Sequence, residues 1–204
     1  MRPIGMMDSP YVRRVAISLE YLGLPFVHEP LSVFSQFDAF AAINPVVKAP
    51  TLIADNGAVL MDSTLILQAL ERLAAPARSL TPAGENDFLR AQRLVGLVLT
   101  ACEKTVQIVY ERNLRQAEKY HEPWINRVRG QLLAAYHLLD AEAGSPSGWL
   151  LGSRPTHADV AVGVARRFTR DALPDVIAGD DFAGLSAFSI RAEGTPEFLA
   201  CPPN

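Results

Sequence analysis

Asn44-Pro45-Val46-Val47-Lys48-Ala49-Pro50-Thr51-Leu52-Ile53-Ala54-Asp55-Asn56-Gly57-Ala58-Val59-Leu60-Met61-Asp62-Ser63 holds, in order, a loop, a strand, a tight turn, a second strand and a helix start. Pro50 precedes an apolar run and has no N–H to donate, so it belongs at the first residue of a strand or at an edge. The backbone groups of Lys48 and Ala49 are then left without ladder partners. Asp55-Asn56-Gly57 is a strong hairpin signal, because Asn and Gly tolerate the positive φ of a tight turn. The segments Thr51 to Ala54 and Ala58 to Met61 therefore read as two short antiparallel strands. Asp62-Ser63-Thr64 supplies capping oxygens, and Leu65, Ile66, Ala69, Leu70 and Leu73 follow at helical spacing, so a helix begins at Ser63.

A helix N-terminus carries free N–H groups and the positive end of the macrodipole, so a hydroxyl at Ser63 beside those donors suits a carboxylate. The unpaired backbone ahead of Pro50 suits an extended peptide. Taken singly, Asp62 and Ser63 read as ordinary caps; it is their combination with the Pro50 edge that points to a ligand.

The chain has 204 residues, 49% hydrophobic and 20% charged, enough for one large domain or two small ones with real cores. A net charge of −3 leaves no footprint for nucleic acid or an anionic membrane. Cys102 and Cys201 are too few for a disulfide framework, and the opening residues show no charged leader followed by an apolar run. The expected compartment is the cytoplasm, and no run approaches the length that spans a bilayer.

From the start, Arg2 to Met6 reads as a strand. Ser9 caps a helix with Pro10 at its first position and Val12, Val15, Ala16 and Leu19 on one face, ending at Gly23. Arg13 and Arg14 lie off that face and read as a solvated or subunit-facing patch. Phe26 to Glu29 reads as a second strand, and Ser35 to Ile43 as a short helix or irregular loop. Strand, helix, strand, loop, hairpin and helix make a mixed four-stranded sheet with helical cover, the thioredoxin-like plan, in which Ser9 lies close to Ala49. Residues 1–75 form this domain, 76–85 a Pro-rich linker, and 86–204 an all-helical domain. In the latter, one helix runs from Asn86 or Asp87 toward Gln116, a second opens at Pro123 and reaches Ala143, and residues 144–148 form a loop. Thr156-His157-Ala158-Asp159 is a capping box in form, ahead of a helix apolar on every side; its role is structural. Residues 180–200 suggest one or two further short helices.

These residues resemble the soluble glutathione transferases. Ser9-Pro10-Tyr11-Val12-Arg13-Arg14 looks like their serine-bearing active-site motif, Asn44 to Pro50 like the segment N-P-x-G-K-V-P, and Asp62-Ser63 like the E-S pair. The resemblance implies a thioredoxin-like N-terminal domain plus an all-α C-terminal domain, with glutathione as co-substrate and no metal. It implies that Pro50 is a cis-proline, that Ala49 pairs its backbone with the cysteine moiety, that Asp62 and Ser63 hold the γ-glutamyl end, that Lys48 meets the glycyl carboxylate, and that Ser9 stabilises the thiolate. Val47 stands where the family has glycine and Ala49 where it has valine.

No cysteine occurs before position 102, so a protein thiol in the first domain cannot form a mixed disulfide. The Ser9 hydroxyl can only hydrogen-bond, and it is also an ordinary cap. The four histidines lack metal-ligand spacing, and Cys102 reads as a small buried hydrophobe. Tyr11, Tyr110 and Trp124 are candidates for an acceptor pocket. The implied function is conjugation or reduction of small apolar electrophiles by glutathione, in detoxification, by a homodimer. Alternatives are a glutathione-dependent peroxidase or dehalogenase and a non-catalytic glutathione-binding or protein-interaction module.

Overall fold

A computed structural model describes residues 1–143, 148–177 and 181–203. It divides into two compact units, one comprising Met1–Thr81 together with the residues from Gly194 onward, the other Pro82–Glu193. The expectation placed everything after 86 in the helical domain; the structure returns the last segment to the first unit.

In the first unit, strands β1 (Arg2–Ile4), β2 (Thr51–Ile53) and β3 (Val59–Met61) form an antiparallel sheet in that order. Pro3 pairs with Leu52, and Leu52 with Leu60. The hairpin closes as the Asn-Gly turn demands, with the Ala54 N–H on the Ala58 carbonyl at 2.9 Å and Gly57 at φ 85°. The expected fourth strand is reduced to a parallel bridge between Ile4 and Glu29, flanked by bonds from Val27 N–H to the Met1 carbonyl and from Glu29 N–H to that of Pro3. Pro25 and Pro30 bound this segment and remove the donors that would lengthen it. The plan remains thioredoxin-like.

Helix α1 (Pro10–Leu22) starts at the Ser9 cap and stops at Gly23, whose φ of 67° is the left-handed conformation glycine adopts without penalty. Helix α2 is Phe37–Ile43 and α3 is Ser63–Glu71. Val15, Leu19 and Leu22 of α1 pack with Leu52, Ile66, Leu67, Leu70 and Leu80 in one core.

Arg13 and Arg14 are not solvated: each is 3% exposed. The cause is cover the helical periodicity could not show. Arg13 donates to the Cys201 carbonyl at 2.8 Å and its guanidinium lies 5.5 Å from the Phe198 ring centre, on the returning C-terminal segment. Arg14 faces Ser63.

The second unit is helical among the described residues: α4 (Glu85–Leu114), α5 (Glu122–Ala143), α6 (His157–Ala172) and α7 (Ala183–Glu193). Helix α8 (Pro196–Leu199) belongs to the first unit. Helix α6 buries Val160, Ala161, Val162, Val164 and Ala165 on successive faces, as its uniformly apolar run predicted. Cys102 is buried on α4. Of the loop expected at 144–148, residues 144–147 lie outside the described residues.

Candidate functional site

The loop ahead of β2 is held from inside by Asn44, which is 5% exposed. Its amide N–H donates to the Thr51 hydroxyl at 2.8 Å and its carbonyl oxygen accepts from Val46 N–H at 3.1 Å; Thr51 in turn donates to the Lys48 carbonyl at 2.8 Å. The Lys48 carbonyl is therefore occupied, contrary to the expectation that its backbone is open. Asn44 was quoted as part of a motif without a role; the Asn-Pro dipeptide at a turn was the available signal.

Ala49–Pro50 is a cis peptide. Three non-glycine residues among those described have positive φ, and two of them, Val47 at 50° and Asp62 at 71°, flank this stretch. Valine at position 47 stands in a left-handed backbone conformation that glycine adopts more readily, at the expense of strain in a β-branched residue.

Gly5, at φ 136°, lets the loop approach α1: a Cβ there would lie 2.6 Å from Val12 Cγ2 and 3.0 Å from the Ala49 Cβ. Ala49 and the first turn of α1 thus meet across Gly5, whose carbonyl bonds His28 Nε2 at 2.7 Å. Ser9 caps that turn, its Oγ accepting from Val12 N–H at a long 3.4 Å. A hydroxyl used as acceptor keeps its proton to donate.

At the start of α3, Asp62 is the cap, accepting from Thr64 N–H at 2.9 Å through one carboxylate oxygen. The other oxygen lies 3.8 Å from Lys48 Nζ. Both side chains are about half exposed, so this pair contributes less than about 1 kcal/mol and yields readily to a ligand. Ser63, the first helical residue, is 3% exposed, and its Oγ accepts from Arg14 Nη1 at 3.4 Å.

In the second unit Thr156 and Asp159 form the expected box. Thr156 N–H and hydroxyl donate to one Asp159 oxygen at 2.8 and 2.6 Å, and Leu150 N–H donates to the other at 2.7 Å. Burial raises the Asp159 carboxyl pKa above its ordinary value, against the pull of those donors.

Tyr110 and Trp124 share one open cleft of about 690 Å³ in this unit, with Gln107, Leu114, Arg115 and Lys119 also on its walls. Tyr11 is on α1 of the first unit and is not among its lining residues. Glu111 lines the cleft too, 7% exposed; Arg115 Nε, 2.6 Å away, holds its carboxyl below the usual carboxylate value.

Two family models match: the glutathione S-transferase N-terminal domain over residues 4–78, and the glutathione S-transferase C-terminal domain over residues 122–195. A maleylacetoacetate isomerase of Pseudomonas aeruginosa is 30% identical over 159 residues, covering 72% of this chain and 71% of that one. The chain belongs to the glutathione S-transferase family. A glutathione S-transferase of Methylobacterium radiotolerans, crystallised with glutathione sulfonate, superposes with a TM-score of 0.91 at 28% identity, over 99% of this chain and 94% of that one. A family member from Pseudomonas fluorescens with bound glutathione gives 0.86 at 28% identity, over 100% and 98%. The first unit of this transferase-family chain carries Ser9, Ala49, the cis-Pro50 edge and the Asp62-Ser63 cap on one loop-and-helix arrangement, while Tyr110 and Trp124 belong to the second.

Proposed function

We propose that this protein is a glutathione-dependent transferase acting on small electrophiles, with the Ser9 hydroxyl stabilising the glutathione thiolate. Supporting this reading most directly is the Ala49–cis-Pro50 edge meeting the first turn of α1 across Gly5. A peptide pairing with Ala49 would have its thiol near the amino end of α1, where the helix field and a hydroxyl proton favour the anion. Ser63 and Asp62 hold the γ-glutamyl end, and Lys48 the glycyl carboxylate once it leaves Asp62. Tyr110 and Trp124 are proposed for the acceptor, which at the cleft's two rings would be a flat, apolar molecule. Assembly as a homodimer, a cytoplasmic location and a detoxification role belong to the same proposal.

A thiol of pKa about 8.5 is only about 3% ionised at pH 7; lowered to about 6.5 it is about three-quarters ionised. Intrinsic nucleophilicity falls with pKa, so the net gain from ionisation is only about threefold, and alignment of thiolate and electrophile supplies the rest. The test reads the thiolate itself. Ultraviolet titration of glutathione bound to wild type and to Ser9→Ala should show the thiol pKa higher by at least about one unit in the variant. Identical titrations would reduce Ser9 to a helix cap.

A second reading draws on the 30% identical relative named for isomerisation. In it glutathione adds to an unsaturated substrate and is released again, so that it is not consumed. Turnover of a cis-enone in the presence of glutathione, with the thiol concentration unchanged at completion, would favour this reading over conjugation.

A further inference from the structure

The cleft that holds Tyr110 and Trp124 differs in chemistry from end to end. Gln107, Tyr110, Glu111 and Leu114 line it at intervals of three and four residues, so one face of α4 makes a wall about 10 Å long. Tyr110 and Trp124 are 43% and 44% exposed, so each ring keeps surface free for a flat ligand to cover. The carboxylate on these walls, Glu111, is turned to its own chain, accepting from Arg115 Nε at 2.6 Å and from His121 N–H at 3.3 Å. Glu111 and Arg115 therefore offset one another. Lys119, in the turn Ala117–Lys119 that follows α4, is the remaining charge on the walls, and among the described residues its ammonium has no carboxylate partner.

Gln107 begins the wall on α4, before the rings. Its amide N–H donates to the Glu103 carboxylate at 2.7 Å, which fixes which end of the amide is which. The amide oxygen is buried and has no hydrogen-bond partner among the described residues, an unfavourable state for an acceptor. The last torsion of a glutamine is soft, so a small turn presents that oxygen to a donor in the cleft. We propose that the cleft takes a flat conjugated acid, with its carboxylate on Lys119, its body against Tyr110 and Trp124, and a hydroxyl or N–H at its other end donating to Gln107. Naming that acid as the acceptor rests on the glutathione reading; its fit to the cleft does not.

The probes are trans-4-hydroxycinnamate, its methyl ester, which lacks the charge, and trans-cinnamate, which lacks the hydroxyl. In calorimetric titration wild type should bind 4-hydroxycinnamate about three- to fivefold more tightly than the ester, as an exposed ion pair provides. It should bind it about tenfold more tightly than cinnamate, because a buried acceptor gains its partner. Lys119→Met, folded by its melting curve, should lose the first preference and keep the second; Gln107→Met should do the opposite. A wild type lacking either preference overturns the inference, as does a Lys119→Met protein that still favours the acid over its ester or a Gln107→Met protein that still favours the hydroxylated acid. Glutathione titrated into the same wild-type protein separates the two readings. Binding of glutathione but of none of the acids overturns this inference alone, binding of the acids without glutathione overturns the transferase reading and keeps the site, and binding of neither overturns both.

Discussion

Helices α3 and α6 open with the same residue types, an acid beside a small hydroxyl, and use them in opposite ways. At α6 the groups close on one another: Asp159 takes the N–H and hydroxyl of Thr156 and the N–H of Leu150, and it is fully buried. At α3 they stay open. Asp62 shares its carboxylate between Thr64 N–H and a half-exposed lysine 3.8 Å away, and Ser63 is bonded from behind by Arg14. A cap whose acceptors are saturated by its own chain is a fastening. A cap whose carboxylate is half exposed and only loosely paired is free to exchange partners.

The largest effect should come from opening the closed cap. Asp159→Ala strips the acceptor from two buried donors of Thr156 and one part-buried donor of Leu150; at about 1 to 3 kcal/mol for each buried donor left unsatisfied, urea unfolding should show a loss of at least about 2 kcal/mol. Sequence reasoning alone suggests about 1 to 2 kcal/mol, the worth of one cap, because it could not see the third donor, from Leu150. Glutathione affinity per folded molecule should not change. Ser63→Ala should do the reverse. It removes a charge-assisted bond worth about 1.5 to 3 kcal/mol to the ligand and should weaken glutathione binding at least about tenfold in calorimetric titration. If both variants lost stability and neither lost affinity, the contrast between the two helix starts would collapse.

A smaller effect lies in the loop leading to the open site. Val47→Gly relieves a positive φ whose strain is about 1 to 3 kcal/mol, offset by about 0.5 to 1 kcal/mol of glycine's extra chain entropy. Thermal unfolding should then register a net gain of about 1 kcal/mol, and a loss would mean that the side chain's packing outweighs its backbone cost. Smallest is a pH effect at the closed cap. The raised pKa of Asp159 means the folded state holds that proton more tightly than the unfolded chain. Its contribution is therefore fully present below the ordinary aspartate value and is lost as pH rises through the raised one. Urea unfolding across pH 4 to 8 should show wild type losing stability relative to Asp159→Asn as pH increases.

What could be read from the sequence was whatever depends on neighbours along the chain. The Asn56-Gly57 turn, the strand behind Pro50, the start of α3 at Ser63 and the Thr156–Asp159 box each follow from conformations fixed within a few residues. The burial of Arg13 and Arg14 does not, because the acceptor for Arg13 is 188 residues away and that for Arg14 is 49. A pair of arginines off the apolar face of an amphipathic helix has the pattern of a solvated surface, and only tertiary cover reverses it. The Asn44 network was half legible: its turn could be expected, its grip on Thr51 could not. Tyr110 and Trp124 were candidates for an acceptor pocket, yet their shared cleft depends on α4 and α5 packing together.

The return of the last segment to the first unit bears on how the chain is made. Helix α8 is fixed to α1 by Arg13 on the Cys201 carbonyl, by the Phe198 ring beside the same guanidinium, and by the Tyr21 hydroxyl 3.1 Å from that of Thr195. Burial pushes the Cys201 thiol up to about 12, so it is an anchor and not a nucleophile. During synthesis, then, the unit begun first is finished last. Residues 82–193 emerge as one continuous stretch and can collapse on their own, while α1 waits with one flank and its Arg13 charge uncovered. A nascent chain halted before Gly194 should expose that flank to chaperones, and emergence of residues 194–203 should act as the latch that ends the wait.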